Sequence, residues 1–571
     1  MYSIPQLIIA MGGTFLAVFL TKVAAFIWYQ VTTVKHQMRG PKSKSWIYGC
    51  YDSFASADEA EVDEKWIEQY GPTFKYHAFL NVTRLFTLDP HALAHILQRD
   101  AIYEKPEPVR WTLERTLGKG VLFVEGEQHK VQRRIMNPAF GPVQVRELTE
   151  IFMEKACQLR DVWLAEITKN ALPTLTPVDA ATTQDGTPRN PHRADSLPPP
   201  TARIEVMGYL SRATLDMIGK AGFNYEFNAL HPISKDGKCE DNELSGAFAR
   251  LYKDAGSNKV LELLQSWFPV LRAIPTSQGR AIVEARSIMS RIGRKLLDDA
   301  RAAAAAGDTG DGGRDLLSLL VKANTDPALP ADQRMADSDV LAQVPTFLVA
   351  GHETTRTATT WALFALTQSP DVQFLLRDEL LAADLGESPS MDDLNGLPYL
   401  DRVVREVLRL HSPIPRTVRV AKSTDEIPCA TAWVDEKGVE RRTIRVTKGD
   451  WIAIPIRALN RSKAVWGEDA LEFKPERWEK VPEGAMHVPG IWGHQLSFLA
   501  GPRACIGYRF SLVEIKALLY TLVRAFEFEL AVAPEDVVSR STTVQRPYVR
   551  TEMEKGMQLP LIVRGVVQQD S

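Results

Sequence analysis

From Leu7 to Tyr29 the chain is apolar apart from Lys22 and the tolerated hydroxyls of Thr14 and Thr21. A helix of that length spans a bilayer core of about 30 Å, so residues 1–30 are expected to form a transmembrane anchor. A cleaved signal peptide is the rival reading, with Ala24-Ala25 as a weak cleavage site, but "MYSIPQ" lacks a basic n-region. Lys35, Arg39, Lys42 and Lys44 follow the run and Asp52 is the first acidic residue, which predicts a body on the cytosolic side of the membrane. The polar, turn-rich stretch Arg39 to Gly49 then predicts a linker over 31–50.

Beyond Glu59 helical spacing dominates. "DPHALAHILQRD" (Asp89 to Asp100) opens on an aspartate N-cap with proline behind it. Leu400, Val403, Val404 and Val407 share one helical face. Val340 to Leu366 is a long apolar segment in which Pro345 predicts a kink. Strand patterns are confined to Gly71–Leu88 and Val434–Ile456, with glycine turns. Proline-rich 171–201 and alanine- and glycine-rich 302–315 read as mobile insertions. The pattern as a whole predicts a mainly α domain with small β-sheets over 51–565, and a tail at 566–571.

Composition narrows the function. With 68 basic and 71 acidic residues among 571, the net charge of -3 gives no drive toward nucleic acid. The five cysteines are scattered and show no C-x-x-C spacing, which argues against a disulfide framework or a structural zinc site and for a reducing compartment.

One cysteine stands apart. "SFLAGPRACIGYRFSLVEIK" (Ser497 to Lys516) places Cys505 at the mouth of an amphipathic helix, where the helix dipole and free amides favour a thiolate. Gly501 and Gly507 allow close backbone approach, and Arg503 is a nearby cation. The pattern Phe498-x-x-Gly501-x-Arg503-x-Cys505-x-Gly507 resembles the haem-binding loop of the cytochrome P450 superfamily. Details such as "QVPTFLVAGHETT" are most similar to fungal membrane-bound members of the microsomal, class II kind.

The resemblance implies the cytochrome P450 fold and a haem b group, iron protoporphyrin IX, with Cys505 as the axial thiolate that favours O–O cleavage. Phe498, Gly501 and Gly507 would shield the sulfur. Arg503, Arg133 and Arg419 would meet the haem propionates, with His129 standing where the family often has Trp. Small Ala350 and Gly351 would leave room over the haem plane, and Glu353 and Thr354 would relay protons to the distal oxygen. Without the cysteine loop, Glu353 reads as a solvated carboxylate and Thr354 as a hydroxyl bonded to its own i−4 carbonyl. Glu406, Arg409 and Arg477 resemble the family's structural network behind the loop.

The activity so implied is a haem-thiolate monooxygenase that inserts one atom of O2 into a hydrophobic small molecule, in fungal secondary metabolism such as terpenoid biosynthesis. No dinucleotide fingerprint follows a strand, so electrons would come from NADPH through a separate cytochrome P450 reductase, or from cytochrome b5, with Lys130 or Arg133 steering the partner. Membrane lipid would hold the single-pass chain on the endoplasmic reticulum. Substrate would touch Tyr103–Phe123, Gly222–Pro275, Phe347, Ala350, Pro413–Arg416 and Thr542–Val544. A rearranging or dehydrating enzyme of the same fold, and a haem carrier or sensor, are the alternatives.

Overall fold

The computed structural model describes residues 37–43, 45–50, 59–169, 200–230, 259–305, 314–330, 333–541 and 543–566, together with isolated positions between 13 and 24. The expected anchor over 7–29 and most of the expected insertion at 171–201 lie outside the described residues. Among the described residues no helix is long and apolar enough to cross a membrane.

The chain forms two compact units. The first holds residues up to Pro106, Arg416–Ser462 and His487–Arg503. Its five-stranded sheet has the order β1-β2-β7-β4-β3, from β1 (Thr73–His77), β2 (Thr83–Thr87), β3 (Tyr103–Glu104), β4 (Thr417–Ala421) and β7 (Trp451–Ile454). A hairpin of β5 (Asp425–Val434) and β6 (Glu440–Val446) lies beside helix α2 (Pro90–Gln98); α1 (Glu59–Tyr70) precedes β1. Asp89 caps α2 as the sequence predicts, accepting from the Ala92 amide at 2.9 Å. Its second oxygen accepts from the Thr431 amide at 2.7 Å, so one carboxylate both starts the helix and fastens it to β5.

The expected linker is not one. Met38 is 1% exposed and Cys50 2%. Lys75 and Glu436 donate their amides to the carbonyls of Arg39 and Gln37, and Arg39 Nε donates to the Asp435 carbonyl. A Cβ on Gly40 would lie 1.9 Å from the Lys75 carbonyl oxygen, an approach open to glycine alone. Residues 37–50 are therefore part of the folded body, which begins before the expected boundary at 51. Polarity suggested a tether because these groups satisfy their hydrogen bonds against a sheet edge that lies far along the chain.

The second unit holds Glu107–Pro415, Lys463–Met486 and Ala504 onward. Its helices include α3 (Gly126–Met136), α4 (Pro142–Lys169), α5 (Val206–Phe223), α6 (Asp337–Leu341), α7 (Gln343–Gln368), α8 (Pro398–Leu410) and α9 (Tyr508–Ala525). The central α7 packs along α5, and α9 packs along α4 and α7. Two small sheets complete the unit, one from Thr201–Glu205, Pro560–Gly565 and Phe526–Leu530, the other a hairpin of β8 (Val537–Ser541) and β9 (Gln545–Val549).

α6 and α7 are separated only by Ala342, whose φ -70° and ψ -15° stay right-handed helical. Pro345 thus falls in the first turn of α7, where its missing amide has no partner to lose. At the second expected insertion, Ala302–Ala305 continue the helix Ser277–Ala305, and Asp315 is a buried cap that accepts from the Leu317 and Ser318 amides. At the first, Thr201 opens a strand.

Candidate functional site

Cys505 lies just ahead of α9, whose N-cap is Gly507. The Gly507 amide bonds the sulfur and the Arg133 guanidinium bears on it. Burial pushes the thiol up, and the amide and the guanidinium oppose that rise, both by favouring the anion. Cys505 still presents accessible surface, so it is densely surrounded without being covered. The other described cysteines differ. Burial and Asp89 push Cys429 up to about 12, and Cys157 has the carboxylates of Glu387 and Asp161 against it. At Cys505, unlike Cys157 and Cys429, the charged and polar neighbours recorded all favour a metal-binding thiolate.

The glycines of the loop divide by task. Gly501 has φ +67°, and a Cβ there would sit 2.3 Å from the Leu97 carbonyl oxygen at the end of α2. Its lack of a side chain thus serves the approach of α2. A Cβ on Gly507 would meet only the Phe140 ring, at 3.6 Å, an ordinary contact. The protein's own packing thus leaves room at Gly507, two residues from the sulfur, which fits a flat group bound through Cys505. Phe498 is buried in an edge-on contact with Trp492, centroids 5.7 Å apart. Arg503, nearly buried, is 3.8 Å from Asp100.

On α7 most side chains are buried, yet Ala350 is exposed and Val349, Gly351 and Thr354 are partly so. Ala350 and Thr354 are one turn apart and share this open strip. Thr354 donates to the Ala350 carbonyl at 2.6 Å. Gly351 serves a different end from the one expected: a Cβ there would meet Ile218 of α5 at 2.8 Å, so it lets two helices close together. Glu353 faces elsewhere than Thr354. It is 2% exposed and bonded by Arg356 and by Arg546 of β9, the latter at 2.6 Å. Burial would raise its carboxyl, but the two guanidiniums hold it below the usual carboxylate range.

The expected propionate partners have protein partners as well. Arg133 donates to the Ala504 carbonyl, next to the cysteine, and to Asn137 at 3.0 Å. Arg419, on β4, donates to the Val418 carbonyl at 2.8 Å and to Thr417 at 3.2 Å. His129 is buried on α3. Lys130 is exposed beside Glu127, 3.3 Å away.

The structure brings Glu406, Arg409 and Arg477 together. Arg409 grips Glu406 through Nε (2.9 Å) and Nη2 (2.7 Å), and Arg477 Nε reaches the same carboxylate at 3.3 Å. The Trp478 indole and the Lys474 amide complete the set, both at 3.0 Å. Arg409 and Arg477 also donate to the carbonyls of Ala470, Glu472, Trp466 and Asp469, and Arg477 pairs with the Asp469 carboxylate as well.

Of the segments expected to touch substrate, the turn at Pro413 is joined to Gln545, the residue just after the expected late loop, and through it to α7. The Gln545 amide donates to the Pro413 carbonyl at 2.8 Å, and the Trp361 indole of α7 donates to the Gln545 carbonyl at 2.9 Å. Phe347 packs against Phe140 and Phe223 in an aromatic core.

Several residues escaped the sequence reading. Gln343 donates to Gln132 at 3.1 Å and accepts from the Val121 amide, tying α3 to the start of α7. His352 bonds Ser211 of α5 at 2.8 Å. Arg356, Arg546 and Glu514 also went unremarked. Glu514 alone carried a local signal, a carboxyl on the apolar stripe of α9.

A family model described as Cytochrome P450 matches residues 38–551. Cytochrome P450 monooxygenase 205 of Postia placenta is 49% identical over 566 residues, 98% of each chain. Cytochrome P450 monooxygenase 128 of the same fungus is 46% identical over 97% of each chain. Cytochrome P450 monooxygenase claQ of Ampulloclitocybe clavipes is 33% identical over 93% of each.

Proposed function

From the premise that the chain belongs to the cytochrome P450 family and is a monooxygenase, we propose that it oxidises a hydrophobic small molecule of fungal secondary metabolism at the endoplasmic reticulum. Cys505, at the mouth of α9 with the Gly507 amide on its sulfur, carries this reading. When bound there, haem b supplies oxygen activation and electron transfer.

The chain's own residues do the rest. Cys505 is the ligand, and the Gly507 amide and Arg133 stabilise its anion. Arg133 brings positive charge beside the ligand and holds the Ala504 carbonyl so that the loop keeps its course. Ala350 keeps the open strip of α7 low, which suits an apolar substrate beside the reacting oxygen. Thr354 is the hydroxyl on that strip; its donated proton is committed to Ala350, and its oxygen is left to accept from water or a reacting group. Glu353, kept ionised between two guanidiniums, acts at neutral pH as fixed charge that orients Arg546, and not as a proton donor.

A separate NADPH-dependent reductase, with cytochrome b5 as a second donor, would deliver electrons, and exposed Lys130 is a candidate steering charge. The apolar run 7–29 and the basic residues after it support a single-pass anchor with the body in the cytosol. The test is the reduced carbon monoxide difference spectrum of the purified full chain, followed by reductase-supported turnover of terpenoid and fatty-acid candidates. A thiolate-type band that disappears in Cys505→His, with NADPH-dependent product, is the expected result. An unchanged Soret band in Cys505→His would refute the ligand assignment.

A further inference from the structure

The first residue of α7 is a buried amide with three partners. Gln343, 0% exposed, accepts from the Val121 amide through Oε1 at 3.1 Å. Through Nε2 it donates to the Asp339 carbonyl of α6 at 2.9 Å and to Gln132 Oε1 of α3 at 3.1 Å. A backbone N–H only donates and a backbone C=O only accepts, so Val121 and Asp339 together fix which end of the side chain is which. Gln132, 1% exposed, must then turn its oxygen to Gln343, and its Nε2 accordingly faces the Lys119 carbonyl at 3.4 Å. Two side-chain amides thus join the segment Lys119–Val121, α3, α6 and α7 in one set of hydrogen bonds.

Packing closes the same joint. A Cβ on Gly120 would lie 2.4 Å from Thr346 Oγ1 and 2.7 Å from the Ala342 carbonyl oxygen, so only glycine lets this segment lie so close to the first turn of α7. Thr346 cannot swing aside freely, because its hydroxyl is bonded to that same Ala342 carbonyl at 2.9 Å. Beyond Gly120 the chain turns, with the Phe123 amide returning to the Gly120 carbonyl at 2.9 Å, and Val121 and Val124 are buried. Loss of the Gln343 amide would strand the Val121 N–H and the Gln132 oxygen together in a buried place, where unpaired polar groups are costly.

The two arms of the joint lead to different places. Val121 belongs to the stretch expected to touch substrate. Gln132 is followed on α3 by Arg133, which donates to the Ala504 carbonyl beside Cys505.

We propose that Gln343 is a positioning residue: it sets the wall formed by residues 118–124 against α7 and fixes α3, the helix of Arg133, to the same point. That this wall meets substrate rests on the haem-thiolate reading; the joint itself does not.

Amide hydrogen exchange of the haem-loaded full chain, without reductase or substrate, tests the joint. Gln343→Leu should speed exchange across 118–124 about tenfold and loosen 126–136 with it. Gln132→Leu, which spares the Val121 bond, should loosen 126–136 and leave Val121 protected. If Gln343→Leu does not fold, Gly120→Ala reads the same contact, since its methyl group forces the segment off α7. Parent-like protection of Val121 in Gln343→Leu or in its substitute, equal loss of it in Gln132→Leu, or unchanged exchange of 126–136 overturns the proposal. The positioning role is read from the dissociation constants of imidazole and 4-phenylimidazole, whose ring nitrogens bind iron. In Gln343→Leu the larger ligand should weaken several-fold relative to the smaller, because a wall that is no longer preformed must be ordered on binding. A ratio equal to the parent's, or shifted the other way, overturns that role. Exchange is read without any added ligand and the thiolate by its carbon monoxide spectrum, so either reading can fail alone.

Discussion

Glu353 is an anion because two guanidiniums outweigh its burial. Replacing Arg546 with leucine removes one of them and leaves a buried carboxylate with Arg356 alone, at an expected cost of about 3 kcal/mol. A carboxylate held below its ordinary range stabilises the fold above its unfolded pKa and loses that contribution as pH falls. In Arg546→Leu the loss should therefore begin at a higher pH than in the parent, as thermal melts across the acid range will show. Gly501→Ala is expected to be worse tolerated than Gly507→Ala. The first combines φ +67° with a Cβ 2.3 Å from a backbone oxygen that has no freedom to retreat, while the second meets an aromatic ring at 3.6 Å. Melting temperature and retained haem of the two variants measure the contrast. Glu406→Gln would leave two arginines facing a neutral amide in a fully buried network, and about 3–5 kcal/mol of stability should go with the charge.

Between elements, α5 packs along α7, with Gly351 leaving room for the Ile218 side chain and the His352–Ser211 bond fastening the pair. Burial, reinforced by Arg356, lowers His352 to about 3, so the folded chain keeps this ring neutral through the physiological range. The unfolded chain binds a proton there below about pH 6.5 and the folded chain does not. Stability must fall as pH drops from about 6.5 toward 3, by about 1.4 kcal/mol per unit for this one group. His352→Gln keeps a hydrogen-bonding side chain and removes the titration, so its acid melting curve should be flatter than the parent's. The helix itself was legible, since the apolar run at 340–366 marks a buried helix, but its partner α5 was not. Nor was its start, because Ala342 is an ordinary residue with no local stop signal.

At the scale of the whole molecule, the body begins at the sheet edge that residues 37–50 cover, in agreement with a family match that starts at 38. Deleting residues 1–36 should leave the melting temperature and the carbon monoxide spectrum of the body intact and, on the proposed anchor, move the protein from the membrane to the supernatant fraction. Deleting 1–50 should also expose the cavities left by Met38 and Cys50 and the Lys75 amide, with a clear loss of melting temperature. Equal stability of the two truncations would show that the docked segment contributes little.

The order of residues was enough for the mainly helical class, the Asp89 cap and the Cys505 loop, because each is signalled by local spacing, by residue chemistry or by a motif of contiguous residues; the gathering of Arg477 with Glu406 and Arg409 was implied by the family resemblance and not by spacing. Tertiary structure alone decided that Arg546 reaches Glu353 from 193 positions away, that Gly501 yields to α2 and Gly351 to α5, that the polar residues around Met38 and Cys50 are body and not tether, and that Glu514 is fully buried on α9. Each of these depends on which distant groups arrive to share a buried hydrogen bond, a charge or a van der Waals gap, and no local periodicity encodes that arrival.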